Sequence, residues 1–338
     1  MIILDWGKNL KIPAILLLLM ICLSSYPISG ISNINIRMIY VDDDNINGPW
    51  DGTQQHPYDK IQDAVVNAVD YDTIIIYPGC YNENIQVSTP IHLIGLDKET
   101  TIISANTSSD FLILESVNFS RIENLTFSCL INDRFDIIKM VNCSHCTIYN
   151  IDIISQTLQD RAIVVNGSFN TIEHVTIKGD YLSGIALFYG AYNTIKNNTI
   201  ESCNSGIYLL RSHENTVASN EINNCINSIY IEEGNHNRIT RNVMKSNRNG
   251  VFCSYASRNR IECNDFLEND EHAKFTKLFK KGFLIPNTWL NNYWDGHNIF
   301  LMKPIPGLMY IPNQNVIGLF LPWFEFDWQP HPQPQTLG

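Results

Sequence analysis

Two carboxylates recur at the same phase of a repeated phrase and are the residues of this sequence best suited to acid–base chemistry. Glu221 and Asp265 stand 44 residues apart, which is two units of a 22-residue repeat described below. If successive units stack at about 4.8 Å, the two carboxylates lie about 9.6 Å apart, close to the separation at which two acids cleave a glycosidic bond with inversion. Spacing alone is weak evidence, because any two acidic residues at one phase would satisfy it.

A second set of side chains is suited to binding a ligand. Aromatic residues recur at one phase of the repeat. At another phase, two tyrosines flank a charged pair. The two groups are Tyr208, Tyr230 and Phe252, and Tyr189, Arg211, Glu233 and Tyr255. On a flat sheet, aromatic faces beside a charged pair are suited to a sugar chain. The alternative is that the rings only support each other across strands and that the charges form a surface ion pair.

Candidate metal ligands are sparse. Cys143, His145 and Cys146 form a single C-x-x-C with an intervening histidine, which would suit soft Cu(I) better than structural zinc because no second pair accompanies it. Four aspartates near the N-terminus could offer oxygen ligands to calcium, although their spacing matches no calcium-binding loop. They are Asp42, Asp43, Asp44 and Asp51. We therefore expect no cofactor, with copper and calcium as the open alternatives.

Two further cysteines share one phase of the repeat. Cys203 and Cys225 are 22 residues apart, so stacked units would bring them onto adjacent rungs. That separation permits a disulfide, and it equally permits a column of reduced thiols that behave as small apolar side chains.

The repeat itself determines which elements position these residues. A phrase of the form Asn-x-Ile-x-x-Asn-x-Ile recurs from Asn170 to Phe266, and its leading asparagines are 23 and then 22 residues apart. Apolar residues two apart predict strands without helix, and asparagine and glycine tolerate the left-handed backbone of tight corners. The sequence therefore predicts an all-β fold, a right-handed single-stranded parallel β-helix.

Stacked units would also align asparagines in vertical rows. An amide donates on one side and accepts on the other, so a row can hydrogen-bond along its whole length. The predicted rows are Asn198, Asn220, Asn242 and Asn264, and Asn193, Asn215, Asn237 and Asn259. We expect their role to be structural.

The remaining segments are predicted to lead into the solenoid and to close it. Lys8 and Lys11 precede an apolar run from Ile12 to Leu23, which is typical of a secretory signal peptide; an uncleaved membrane anchor is the alternative. The predicted divisions are a signal peptide (1–30), an entry strand and capping helix (31–72, with the helix from Tyr58 to Val69), the β-helix (73–270), a C-terminal cap (271–328) and a disordered tail (329–338).

The charge of the chain restricts its partners. A formal net charge of −11 argues against binding to nucleic acid and to anionic membrane surfaces. The sequence leaves the oligomeric state open.

Several segments resemble a known family. They are the entry Tyr40-Val41-Asp42-Asp43-Asp44, the loop Gly48-Pro49-Trp50-Asp51-Gly52-Thr53, the strand from Thr73 to Gly79, the Asn-x-Ile rungs and the closing segment Asn291-Asn292-Tyr293-Trp294-Asp295-Gly296. In these the chain is similar to NosD-like proteins. The resemblance implies a secreted right-handed β-helix, and copper handling as well, because the family is named for a periplasmic copper-binding protein.

The sequence favours a secreted or cell-surface binding module without catalysis, with a polysaccharide or cell-surface glycan as its ligand. A β-helix polysaccharide lyase or glycoside hydrolase is the first alternative, and a copper-handling accessory protein similar to NosD is the second. The enzyme ranks below the binding module because the Gly-His-Gly and Arg-x-Lys signatures of β-helix polygalacturonases are absent from the sequence.

Overall fold

A computed structural model describes residues 37–104, 109–130, 133–278, 285–297, 301–313 and 316–335. The predicted signal peptide, residues 1–30, lies outside these ranges, as do residues 31–36 of the predicted entry segment. Within them the chain forms one helix, α1 (Ile61–Asn67), and thirty strands, which are numbered β1 to β30 in chain order. The strands stack in three parallel sheets that run the length of the solenoid.

The first sheet extends from the N-terminal entry strand to the C-terminal hairpin. Its strands, in stacking order, are β1 (Met38–Val41), β2 (Thr73–Ile76), β5 (His92–Gly95), β8 (Arg121–Cys129), β10 (Thr147–Ser155), β12 (Thr171–Glu173), β15 (Thr194–Lys196), β18 (Thr216–Ala218), β21 (Arg238–Thr240), β24 (Arg260–Glu262), β27 (Thr288–Leu290) and β30 (Val316–Asp327).

The second sheet shares two long strands with the first, β8 and β10, whose C-terminal halves belong to it. Its other strands are β3 (Gly79–Asn82), β6 (Thr101–Ser104), β13 (Thr176–Lys178), β16 (Thr199–Glu201), β19 (Glu221–Asn223), β22 (Val243–Lys245), β25 (Asp265–Leu267) and β28 (Tyr293–Trp294).

The third sheet carries the side chains of most functional interest. Its strands are β4 (Ile85–Val87), β7 (Leu112–Glu115), β9 (Asp136–Ser144), β11 (Gln159–Ser168), β14 (Tyr181–Phe188), β17 (Ser205–Leu210), β20 (Asn227–Glu232), β23 (Asn249–Ser254), β26 (Glu271–Leu278) and β29 (Lys303–Asn313).

The pairing register confirms the predicted parallel β-helix. Ile185 pairs with Ile207, Ile207 with Ile229, and Ile229 with Val251, so residues one repeat apart are vertical neighbours. All four side chains are fully buried. The solenoid makes about nine turns, and its core is a set of continuous aliphatic rows, because every inward position of one rung packs on the same position of the next.

The corners follow only in part the prediction that asparagine and glycine supply the left-handed residues. Asn150, Asn197 and Asn224 do so, with φ of 50°, 55° and 56°, but other residue types share the role. Ser219 and Arg241, with φ of 54° and 56°, occupy left-handed corners, and Asn220 and Asn242 come directly after them. A left-handed L-residue costs about 1–2 kcal/mol. The asparagine that follows offsets this cost by bonding the rungs on both sides.

The asparagines predicted to form rows do stack. The Nδ2 of Asn198 donates to Oδ1 of Asn220, Asn220 to Asn242, and Asn242 to Asn264, each at 2.9 Å. Each Oδ1 also accepts the backbone N–H of the asparagine one rung earlier. The second row is built in the same way, by Asn193, Asn215, Asn237 and Asn259.

The solenoid has one rung beyond its predicted end at residue 270. Asn264 bonds Asn292, 28 residues later, with Nδ2 and Oδ1 3.0 Å apart. Trp289 and Trp294 occupy the positions held by Ile261 and Phe266 on the rung before. The repeat was missed here because the connection is six residues longer and tryptophan replaces the usual core residue.

Each of the two predicted asparagine rows ends on a carboxylate from β30, and the second row first continues from Asn259 to Asn287. Asp327 Oδ2 accepts Nδ2 of Asn292 at 3.0 Å, and Glu325 Oε1 accepts the backbone N–H of Asn287 at 3.0 Å. Both acids are buried. A carboxylate accepts bonds on all its lone pairs, so it ends a row in which every preceding amide points its N–H the same way.

The C-terminal region closes the solenoid more tightly than predicted. β29 and β30 form an antiparallel hairpin beyond the last rung. Residues 329–335, expected to belong to a free tail, return along this rung: the backbone N–H of His331 donates to Asn292 O at 2.8 Å, and that of Gln335 donates to Asp265 at 3.0 Å. Residues 336–338 lie outside the described part of the chain.

The N-terminal helix is shorter than the predicted span from Tyr58 to Val69. Lys60 is extended, so α1 begins at Ile61, where the Glu83 carboxylate accepts the N–H groups of Ile61 and Gln62 at 2.7 and 2.9 Å. Ile61, Ala64 and Val65 are buried against the first strands. The helix ends at Asn67 because Ala68 returns to an extended conformation.

Candidate functional site

One corner of the solenoid carries four of the predicted ligand-binding residues in register. Tyr189, Arg211, Glu233 and Tyr255 occupy the same corner position on four successive rungs, directly after β14, β17, β20 and β23, and we call them the corner strip. Their φ angles are 57°, 47°, 53° and 51°, so each lies in the left-handed region. Each of the four backbone N–H groups donates to a carbonyl of the next rung at 2.8–3.0 Å. The backbone of the strip is therefore held to the next rung at each of the four positions.

The strip presents its side chains to solvent. Tyr189 is 62% exposed and Tyr255 is 43% exposed. Between them, Arg211 Nε donates to Glu233 Oε2 at 2.8 Å, and this bond raises the pKa of the guanidinium. The predicted pair therefore forms, on the rim of the third sheet. Because both partners are largely exposed, we expect the pair to position polar groups more than to stabilise the fold.

The aromatic column on the third sheet is stacked on itself. The ring centroids of Tyr208 and Tyr230 are 5.1 Å apart with planes 10° from parallel, and those of Tyr230 and Phe252 are 5.0 Å apart at 12°. Lys274 covers the far face of Phe252 at 5.1 Å. The flat faces are thus occupied, and the rings present their edges outward. The geometry matches the alternative in which the aromatics support each other across strands.

A carboxylate that the sequence reasoning missed joins this column. The hydroxyl of Tyr208 donates to Glu232, which follows Tyr230 by two residues on the same outward face. Burial, and then the Glu232 carboxylate, raise the pKa of Tyr208 well above its ordinary value. The phenol therefore stays a hydrogen-bond donor. Strand alternation would have revealed Glu232, because residues two apart point to one face of a sheet.

The two candidate catalytic carboxylates share a column, as predicted, but not an environment. Glu221 pairs with Val243, and Val243 with Asp265. Glu221 is exposed, whereas Asp265 is fully buried and accepts the backbone N–H of Gln335. The C-terminal segment thus covers one of the two acids, and the pair does not face a common substrate position.

Of the candidate copper ligands, the two thiols contact each other, whereas His145 points away from them. The thiols of Cys143 and Cys146 are buried and donate to backbone carbonyls. His145 instead lies in an exposed stack, with its ring centroid 4.9 Å from that of Phe119 and 5.1 Å from that of Phe169. No three His, Cys, Asp or Glu side chains converge as a metal site anywhere in the described ranges. Cys143, His145 and Cys146 therefore do not form one three-ligand site.

Three of the four candidate calcium ligands have other partners. Asp43 accepts the backbone N–H of Cys80, Asp42 accepts that of Asp44, and Asp51 accepts that of Thr53. These carboxylates brace the N-terminal loop and do not meet around a common point.

Cys203 and Cys225 are thiols. They occupy one buried column, which Asn247 continues by accepting the backbone N–H of Cys225 at 2.9 Å. Of the two alternatives left open by the sequence, the structure has the stack of reduced thiols.

Comparison with protein families fits this architecture. The model of the family described as periplasmic copper-binding protein (NosD) matches residues 65–299. The chain belongs to the NosD family. No curated protein sequence matches it. Within the described part of this NosD-family chain, no helix is both long and apolar enough to span a bilayer.

Solved structures share the fold of this family member. A polygalacturonase from Erwinia carotovora ssp. carotovora is 11% identical with a TM-score of 0.52, and the match covers 75% of this chain and 88% of that one. The catalytic domain of a GH87 α-1,3-glucanase in complex with nigerose is 13% identical with a TM-score of 0.51, over 79% and 60% of the two chains. At such low identity the likeness concerns the β-helix alone.

Proposed function

We propose that this NosD-family chain is an extracytoplasmic module that binds a neutral polysaccharide along its corner strip and does not cleave it. The observation that carries the proposal is the strip itself, with exposed tyrosines at both ends and an ion pair between them on four successive rungs. Rungs about 4.8 Å apart place Tyr189 and Tyr255 about 14 Å apart, which suits an extended chain of sugar rings.

The chemistry of the strip matches that of a sugar chain. A sugar ring has a face of C–H groups that packs against an aromatic side chain, and a rim of hydroxyls that both donate and accept. Tyr189 and Tyr255 supply the rings. Arg211 offers donors and Glu233 offers acceptors, and neither has to move, because each already holds the other.

Two features favour a neutral polymer over an acidic one. The formal net charge of −11 repels polyanions at long range. On the strip, the positive charge of Arg211 is matched by the negative charge of Glu233, so no excess of cations is available to hold carboxylate or sulfate groups.

Cleavage receives no comparable support from the described residues. Glu221 is exposed and Asp265 is covered by the C-terminal segment, so the acid pair required for glycoside hydrolysis is not assembled. Export is supported by the signal-like segment at residues 1–30 and by the family's description as periplasmic.

Affinity gel electrophoresis tests the proposal. The protein is run through gels that contain xylan, laminarin, dextran or galactomannan, with polygalacturonate as the anionic probe. We expect retardation by at least one neutral polymer, and release of no new reducing or unsaturated ends from it. The double variant Tyr189→Ala/Tyr255→Ala should lose at least about tenfold in affinity, because exposed aromatic anchors dominate such contacts.

The matched control is Tyr71→Ala. Tyr71 is another exposed tyrosine in a left-handed backbone, with φ of 69°, at the N-terminal end of the solenoid. Its removal should leave retardation unchanged. Equal retardation of the double variant and the wild type would place the ligand elsewhere, and migration unaffected by every neutral polymer would overturn the proposed function.

A further inference from the structure

A cleft lies one rung beyond the corner strip, at the C-terminal end of the solenoid. Lys277 follows Tyr255 by 22 residues, and the backbone N–H of Tyr255 donates to Thr276 O at 2.8 Å, so Lys277 holds the equivalent position on the next rung, within β26. Here the side chain is buried, and its ammonium pairs with Glu325 of the C-terminal hairpin. The hairpin thus crosses the line that the strip follows.

The cleft beside Lys277 has a volume of about 390 Å³ and mostly aromatic walls. Its walls include Trp289, Trp323, Phe324 and Trp328, and its floor includes Lys277 and Glu325. Trp323, Phe324 and Trp328 are 43%, 51% and 67% exposed. Soluble proteins rarely leave so many large rings together in water without a ligand for them. The volume lies in the range of sites for small organic ligands.

The polar floor of the cleft carries no net charge. Glu325 accepts the indole N–H of Trp289 at 2.6 Å and the backbone N–H of Asn287 at 3.0 Å, in addition to the Lys277 ammonium. Lys277 also donates to Ile285 O at 2.9 Å. Its positive charge is therefore neutralised by Glu325. A charged ligand would find no excess of opposite charge here.

Aromatic walls over a neutralised polar floor suit an uncharged ring that has C–H faces and hydroxyl groups. The cleft lies one rung beyond Tyr255, and Lys277 and Glu325 of its lining are the next side chains in line with the strip. A polymer that follows the strip would therefore meet the cleft with its last residue. We propose that the cleft receives the terminal sugar residue of the bound neutral polysaccharide, an inference that rests on the function proposed above. The NosD-family chain would then recognise polymer ends as well as polymer surface.

Short oligosaccharides separate the two sites. Laminarihexaose, xylohexaose, maltohexaose and mannohexaose are the probes, and binding is followed by calorimetry and by tryptophan fluorescence. The probe that matches the retarded polymer should bind with one site per protein and change the tryptophan emission. Trp323→Ala/Trp328→Ala should weaken it by at least about tenfold. Trp50→Ala, which removes an exposed tryptophan at the opposite end of the chain, should not.

A second measurement uses the unaltered protein, so it stands even if the double variant does not fold. The retarded polymer is partly hydrolysed, and the binding sites per gram are compared before and after. If the protein recognises chain ends, the number of binding sites per gram of polymer should increase as hydrolysis creates new ends. Two results would refute the proposed role of the cleft and leave that of the strip intact. One is a number of binding sites per gram that does not change on hydrolysis, and the other is a hexasaccharide that Trp323→Ala/Trp328→Ala binds as tightly as the wild type does. No retardation by any neutral polymer would remove the strip as well.

Discussion

The buried carboxylate that ends one asparagine row should be among the most sensitive polar groups of the fold. Asp327 Oδ2 accepts the backbone N–H and Nδ2 of Asn292, both at 3.0 Å, and the indole N–H of Trp294 at 3.1 Å. Asp327, Asn292 and Trp294 are all buried. Asp327→Ala leaves these three buried donors with no acceptor and with little access to water, and it also removes the acceptor of the backbone N–H of Gln329. We therefore expect a marked loss of local stability.

The magnitude follows from the number of stranded donors. A buried donor left without a partner costs about 1–3 kcal/mol, so three cost about 3–9 kcal/mol if nothing relaxes. A solenoid can open at its end while the middle stays folded, which limits the loss to the stability of the last rung. Asp327→Asn keeps one acceptor oxygen but removes the charge, so it should cost only about 1–2 kcal/mol.

Hydrogen exchange measured by mass spectrometry resolves the effect. In Asp327→Ala, peptides covering residues 286–297 should exchange far faster than in the wild type, whereas peptides around Asn198 should not change. Asp270→Ala removes an exposed aspartate just before β26 and should behave as the wild type does. Protection of the last rung that survives Asp327→Ala, or equal effects of Asp327→Asn and Asp327→Ala, would refute the reasoning.

Three further perturbations probe the packing, the rows and a half-buried histidine. Gly167→Ala should lower the free energy of unfolding by more than about 2 kcal/mol, because a Cβ would lie 2.0 Å from the Cys143 carbonyl oxygen; chemical denaturation measures it. Asn220→Ala should cost about 2–5 kcal/mol by the same assay, since it removes a buried amide that bonds the rungs above and below. The stability of the fold should fall as the pH drops below 6.5, the ordinary pKa of histidine. Burial lowers the pKa of His272 in the folded state, so protonation favours the unfolded chain. Thermal midpoints measured across that pH range should show this dependence.

Matched controls accompany these variants. Asn204 is an exposed asparagine in the turn between β16 and β17. Asn204→Ala should change the free energy of unfolding by less than about 0.5 kcal/mol. His272→Gln should flatten the slope between neutral and mildly acidic pH. A wild-type slope retained in that variant would assign it to another group, and a Gly167→Ala protein as stable as the wild type would mean that the rung can shift.

Much of the architecture could be predicted because the repeat encodes it residue by residue. A period of 22, with apolar residues two apart, predicts which residues point inward, which are vertical neighbours and where Asn198 meets Asn220. The ion pair between Arg211 and Glu233 follows from the same count, because it joins residues one period apart.

Other features depend on contacts that no period describes. Whether Tyr208 and Tyr230 offer a ring face or an edge depends on side-chain rotamers that are chosen by packing. The burial of Asp265 depends on Gln335, 70 residues later, and the end of each of the two predicted asparagine rows depends on a hairpin outside the repeat.

Sequence alone therefore determined the coil, its inward rows and the register of the corner strip, since these arise from local strand and turn preferences repeated at a fixed interval. Tertiary structure alone decided how the coil is closed and which outward groups remain accessible. The cleft at Lys277 belongs to this second class, because its walls come from the last rungs and from the hairpin that folds across them. Contacts between segments distant in the chain depend on the packed geometry, and a repeat specifies only the contacts between neighbouring turns.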